Sequence, residues 1–252
     1  YKGVREMPKF FIESGINEDM EIVGGDAVHI LKSLRMSVGD RLTICDGSGS
    51  DAECEIYEAG RDYLKLKVLS RSLSLSEPNI EVNLYQCLPK GDKFDGVVRK
   101  SVELGVHSVT PVISSRVISR PDQKALAKKA ERWNKISREA AGQSGRGIVP
   151  MVREALSFDL AVKEASLSDK DECILNIFFY ECGGKPMSEL NLAGIKTINI
   201  FIGPEGGYSP AEAKTAENAG FFTATLGSRI LRTETAPVAA LSVIMYITGN
   251  MG

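Results

Sequence analysis

The chain has 252 residues, 43% of them hydrophobic and 25% charged, with 31 Lys and Arg against 33 Asp and Glu and a formal net charge of -2. This balance excludes an intrinsically disordered chain, and the length allows one large domain or two smaller ones with real cores. No apolar run approaches the roughly 20 residues that span a bilayer, and YKGVREMPKFF lacks the apolar segment of a signal peptide, so no membrane partner is expected.

Residues 8–70 are β-rich. KFFIE, RLTICDG, AECEIYEAG and YLKLKVLS are short alternating or β-branched runs. GGDAVHILKSLRM is the one helical candidate among them, with Val28, Leu31 and Leu34 at helical spacing. Asp46-Gly47-Ser48-Gly49-Ser50 makes a hairpin turn. A small β-barrel over residues 1–74 is expected, followed by a Ser-rich linker within SRSLSLSEPN (70–79).

From residue 79 to 252 strands and helices alternate. IEVNLYQCL, SVTPVIS, ECILNIFFY, KTINIFIG and FFTATLG are apolar strands. KFDGVVRKSVELGV, DQKALAKKAERWNKISREAAG, SPAEAKTAENAG and PVAALSVIMYIT are helices, the second with Leu126, Ala130, Trp133, Ser137 and Ala140 on one face. Strands of this buried type between helices predict an α/β domain with a mostly parallel sheet.

Five dispersed cysteines without CxxC spacing argue against a disulfide framework and for a reducing cytoplasm. Only His29 and His107 are present, so neither a zinc site nor His-based acid–base chemistry is expected. Charge is unevenly placed: residues 79–150 carry 13 basic and 7 acidic side chains between two acidic flanks. A basic middle suits an anionic partner, although a solvated helix face has the same composition.

Two loops concentrate chemistry. An apolar strand runs into Gly203-Pro204-Glu205-Gly206-Gly207, and Ser209, Pro210 and Glu212 then spell a capped helix start. Glycines after a strand let a ligand approach the backbone, at the end of an α/β sheet where ligands bind. The pattern is not GxGxxG, so a dinucleotide site gains nothing from it. Gly142 to Gly147 resembles a phosphate loop, but it follows a helix and suits a plain helix-ending loop better. The second loop, LGSRILRTETA (226–236), packs Arg229, Arg232, Thr233, Glu234 and Thr235 before the last helix. Thr233 or Thr235 can cap that helix, and the arginines suit an anionic substrate or an ion pair with Glu234.

IGPEGGYSPAE followed by LGSRILRTETA resembles the bacterial 16S ribosomal RNA uridine N3-methyltransferase family, a branch of the SPOUT (trefoil-knotted) methyltransferases. The resemblance spans nearly the whole chain: MPKFFIE and HILKSLRMSVGDRLTICDGSG are similar to the family's PUA-like barrel, and LPKGDKFDGVVRKSVELGVHSVTPVISSR and ERWNKISREAAGQSGR to its catalytic domain. It implies a knotted α/β domain, a homodimer, and methyl transfer from S-adenosyl-L-methionine to N3 of a specific uridine in 16S rRNA of the 30S subunit. The alternatives are another RNA base or ribose as target, or a PUA-like RNA binder without catalysis.

By the same resemblance three loops hold the cofactor: Tyr180 and Glu181; Gly203, Pro204, Glu205, Gly206 and Gly207; and Leu226, Gly227, Ile230 and Leu231. Leu226, Ile230 and Leu231 suit an adenine slot, and Glu205 either faces the sulfonium or accepts structural hydrogen bonds. Arg232 or Arg229 would stabilise the uridine anion, with Glu234 orienting the arginine or taking the N3 proton. Lys124, Lys128, Arg132 and Lys135 recur along one helix face as phosphate contacts, and Arg35, Lys90 and Lys93 are further RNA candidates.

Overall fold

The computed structural model describes residues 8–12, 15–118, 120–168 and 173–251. Met7, Glu13 and Glu172, at the ends of expected strands, lie outside them. The described residues form two compact units, one within residues 1–77 with 141–149 and the other within 78–140 with 150–252.

The first unit begins with β1 (Lys9–Phe11) and β2 (Asp19–Val23), the latter an unforeseen strand whose Met20 and Ile22 point inward. The expected helix is a single α-turn, α1 (Gly25–Val28), running into a π-turn (His29–Ser33). Next come β3 (Arg41–Cys45), β4 (Ser50–Ala59) and β5 (Tyr63–Leu73). The last runs into the segment expected as linker. The strands form a mixed, curled sheet in the order β1-β3-β4-β5-β2, with β1 parallel to β3 and the other pairs antiparallel. The tight turn at residues 46–49 places Gly47 and Gly49 at positive φ, and Asp46 accepts from the Ser48 N–H and hydroxyl. Ile30, Leu42, Ile44, Ile56, Leu64 and Leu66 are fully buried, each worth roughly 1.5–3 kcal/mol of apolar transfer.

Segment 141–149 is an excursion that the sequence boundary at residue 79 does not contain. The Glu77 carboxylate ties it down, accepting from Arg146 Nη2 at 2.6 Å and from the N–H groups of Gly147 at 2.7 Å and Ile148 at 3.0 Å. Burial pushes the Glu77 carboxyl up, but these donors outweigh it and hold the group below its ordinary value. The glycine-rich run 142–147 is thus the end of a helix with its arginine engaged, as the plain reading expects.

The second unit comprises β6 (Glu81–Cys87), α2 (Lys93–Glu103), β7 (Ser108–Ile113), α3 (Gln123–Gln143), β8 (Met151–Val152), β9 (Leu156–Ser157), α4 (Phe158–Ser168), β10 (Ile174–Phe179), β11 (Lys185–Pro186), β12 (Thr197–Ile202), α5 (Pro210–Asn218), β13 (Phe222–Thr225) and α6 (Ala236–Ile247). All of its strand pairs are parallel, in the order β11-β13-β10-β12-β6-β7-β8, with β9 also on β7. Apolar side chains cover both faces, as a parallel sheet between helices requires.

A polar row crosses this apolar sheet. Ser108 Oγ donates to Asn83 Oδ1 (2.7 Å), Asn83 Nδ2 to Asn199 Oδ1 (3.0 Å), and Asn199 Nδ2 to Asn176 Oδ1 (2.7 Å). These residues are direct register partners in β7, β6, β12 and β10.

Candidate functional site

Strands β13, β10 and β12 are adjacent and parallel, so the loops that leave their carboxyl ends emerge side by side. Segments 179–181, 202–207 and 225–233 line one cleft of about 580 Å³, within the usual range of small-molecule sites. All eleven residues expected around a cofactor lie on its wall, as do Arg229 and Arg232. Glu234 does not.

The glycine loop is shaped by its neighbours. Gly207 has φ +63°, and a Cβ there would stand 1.6 Å from Glu181 Oε1, so the Glu181 carboxylate lies over the bare α-carbon. A Cβ on Gly203 would come within 3.2 Å of the buried Tyr208 ring. Arg116 Nη1 donates to the Gly206 carbonyl at 2.9 Å, a tie across 90 positions that carries no local sequence signal. Downstream, Ser209 and Glu212 form the expected capping box and Pro210 opens α5. Burial raises the Glu212 carboxyl, but donors from Ser115 and Ser209 keep it below its ordinary value.

Glu205 lines the cleft, and its Oε1 accepts from the Lys90 N–H at 3.0 Å and lies 3.7 Å from Lys93 Nζ. Lys93 also pairs with Glu234 at 3.3 Å. Glu234 therefore holds Lys93 rather than orienting an arginine. Its own backbone N–H, then Lys93 and the charge of Arg232, keep its carboxyl below the ordinary value. A carboxylate stabilised in this way is a weaker proton acceptor.

Neither threonine caps α6 with its side chain. Thr235 occupies the N-cap position without a side-chain bond, and Pro237 fits the first turn. Thr233 is buried and points into the sheet end. Its hydroxyl donates to the Gly203 carbonyl (2.7 Å) and accepts from Gln86 Nε2 (3.0 Å). The one signal for Gln86 in the sequence is an amide at the end of the otherwise apolar run IEVNLYQCL. Leu226 and Leu231 are half-buried in the cleft wall, whereas Ile230, on the same wall, is 84% exposed.

Of the RNA candidates, Lys124, Lys128 and Lys135 are exposed along α3. Arg132 is exposed as well but is paired with Asp95 of α2 and lies 3.7 Å from Asp92, while the Trp133 indole donates to Asp95 at 3.1 Å. Lys90 and Lys93 are exposed; the Lys93 ammonium pairs with Glu205 and Glu234, whereas Lys90 meets Glu205 only through its backbone N–H. Arg35 is exposed on the first unit, in the left-handed region at φ 56°. Among the described residues no helix is long and apolar enough to cross a membrane, and no cluster of metal-ligating side chains occurs.

A family model described as an RNA methyltransferase domain matches residues 76–245, and one described as an RNA methyltransferase PUA domain matches residues 24–69. The chain is 35% identical to the ribosomal RNA small subunit methyltransferase E of Bacillus subtilis, covering 96% of this chain and 97% of that one. It is 28% identical to the Mycobacterium tuberculosis protein of the same name over 90% of this chain and 86% of that one. A crystal structure of the Neisseria gonorrhoeae protein of that name, bound to S-adenosylmethionine, superposes with a TM-score of 0.83 at 29% identity, covering 96% of this chain and 98% of that chain. The SPOUT-type α/β domain with a PUA-like module, expected from the resemblance, is the fold class of these neighbours.

Proposed function

The chain belongs to the RNA methyltransferase family, and from that premise we propose that it transfers a methyl group from S-adenosyl-L-methionine to N3 of one uridine of 16S rRNA in the small ribosomal subunit. The observation that carries this reading is the cleft itself. Three loops that belong to a match spanning 96% of the chain meet around about 580 Å³, with two glycines at which a side chain would crowd the wall.

The residues present fit the cofactor. Leu226 and Leu231 offer apolar wall, the backbone at 203–207 allows close approach, and the Glu181 carboxylate at the rim suits a cation. When bound, S-adenosylmethionine supplies an electrophilic methyl group on a positive sulfonium. The chain must present the base in line and favour the anionic form of its N3, which carries a proton at neutral pH. Arg232, exposed at the cleft wall, is placed to stabilise negative charge on the uridine carbonyl oxygens, with Arg229 beside it. Glu234 pairs with Lys93. The target base has to leave its stack to reach the cleft.

Lys124, Lys128 and Lys135 neutralise RNA phosphates, and Arg35 marks a contact on the PUA-like unit. A homodimer completes the assembly: Val243, Tyr246 and Ile247 form an exposed stripe on α6, and Ile230 is exposed at the cleft. The cytoplasm, where 30S subunits assemble, is the proposed compartment.

The test is methylation of naked 16S rRNA and of 30S subunits, followed by mapping of the product. N3-methyluridine at a single position is the expected result. A ribose or a different base as product, or RNA binding without turnover, overturns it.

A further inference from the structure

At the floor of the cleft a short buried relay joins three segments distant in sequence. Gln86, at the end of β6, is fully buried. Its Nε2 donates to the Cys87 carbonyl at 3.0 Å and to Thr233 Oγ1 at 3.0 Å. Thr233 in turn donates its hydroxyl proton to the Gly203 carbonyl at 2.7 Å. The direction of the relay is determined. With the amide reversed, Gln86 would set its oxygen against the Cys87 carbonyl oxygen with no proton between them, and the single hydroxyl proton of Thr233 could serve only one of the Gln86 oxygen and the Gly203 carbonyl.

We propose that Gln86 and Thr233 are positioning residues that latch the Gly203 loop to the 226–233 loop and thereby set the cofactor affinity of the cleft. The inference rests on the cleft being the cofactor site. Gly203 opens the glycine loop, and its carbonyl defines the plane of the Gly203–Pro204 peptide. Pro204 has a fixed φ and no N–H, so that orientation passes on to Glu205 and the glycines that follow. Thr233 closes the opposite wall, one residue beyond Arg232. One hydroxyl thus holds both walls, and Gln86 holds the hydroxyl without lining the cleft. The site is buried, so a lost partner cannot be replaced freely by solvent.

Calorimetry with S-adenosylmethionine on the full chain tests this. Thr233→Val keeps the shape and removes the hydroxyl, and should raise the cofactor Kd roughly 10-fold, the scale of one net hydrogen bond. Thr233→Ser should restore it to within about threefold. Gln86→Met should raise it severalfold, and the double variant should bind no worse than Thr233→Val, because Gln86 acts through Thr233. In steady state, KM for the cofactor should rise while KM for RNA and kcat at saturation stay within about twofold. A purely structural role would instead lower the melting temperature and the active fraction while leaving the Kd of the folded protein unchanged.

Unchanged cofactor Kd in folded Thr233→Val overturns the latch. So do additive effects in the double variant, or equal rises in both KM values. Should Thr233→Val not fold, Gln86→Met decides, since it leaves the hydroxyl in place: an unchanged Kd there overturns the proposal. Failure of the wild-type chain to bind S-adenosylmethionine is a separate outcome, which removes the reading of the cleft and the latch with it.

Discussion

Replacing Gly207 by alanine separates two costs that coincide at one atom. The first is conformational: at φ +63° a residue with a Cβ is disfavoured by about 1 kcal/mol relative to glycine. The second is steric. The new methyl would stand 1.6 Å from Glu181 Oε1 and 2.3 Å from its carboxyl carbon, so the Glu181 side chain must swing out of the cleft. That side chain is flexible, and leaving its preferred rotamer costs roughly 0.5–1.5 kcal/mol. Together Gly207→Ala should cost about 2 kcal/mol and lower the melting temperature by roughly 5 °C for a chain of this size. In a Glu181→Ala background the steric part is gone and only about 1 kcal/mol should remain. Thermal unfolding of the four proteins of this cycle gives the coupling directly, and calorimetry adds cofactor affinity, which should fall in Gly207→Ala as the carboxylate leaves the rim. Equal losses in both backgrounds would refute the placement of Glu181 over Gly207, and no loss in either would refute the backbone argument.

Arg232→Ala should lower single-turnover methylation of 30S subunits roughly 100-fold or more at saturating S-adenosylmethionine, with a modest loss of RNA affinity; an effect on binding alone would remove its role at the base. Lys124→Ala with Lys128→Ala should flatten the salt dependence of RNA binding by about two units of log–log slope, whereas Arg132→Ala should leave the slope nearly unchanged and lower stability, because its guanidinium is spent on Asp95. Acid should weaken the Glu77 lock. With the folded pKa below the unfolded one, the stabilisation is complete above the unfolded carboxyl value and is lost as pH falls through the folded value. Glu77→Gln should thus be less stable at pH 7 and lose less than wild type on acidification, as followed by denaturant unfolding at each pH.

Elements with a strong local signature were legible in the sequence. The apolar strands of the second unit, the capping box at Ser209 and the turn at residues 46–49 follow from composition and spacing. The two-residue strands β8, β9 and β11 were not, because they exist only by pairing with longer parallel neighbours. Helix α4 carries no strong local signature, although Ala161, Val162 and Ala165 bury one face of it. In β2, Asp19 and Glu21 alternate with Met20 and Ile22, and the acidic positions masked a genuine strand pattern. The excursion at 141–149 depends on Glu77, some 70 residues upstream, and no local window contains it. The site shows the same division. The cleft loops could be named from their motifs, but the assignment of partners could not. Arg132 has the spacing of a phosphate contact, and only the placement of Asp95 on α2 pairs its exposed guanidinium with a carboxylate. Glu234 sits two residues from Arg232 and still bonds Lys93, brought there by the fold.

The asparagine row has a consequence for how the chain finds its alignment. Apolar parallel strands discriminate poorly between registers two residues apart, since either keeps the same face inward. Asn199 must meet Asn83, 116 positions away, and Asn176, 23 positions away, in the same event, because β12 lies between β6 and β10. Displaced by two residues toward one end, Asn83 would face Phe201 instead, leaving amides without partners in an apolar layer, at about 1–3 kcal/mol for each unsatisfied group. The row therefore penalises every out-of-step placement of the central strand in the folded sheet. Since the loop after β12 forms the glycine wall of the cleft, the asparagines that hold this register also hold that wall level with the loops after β10 and β13.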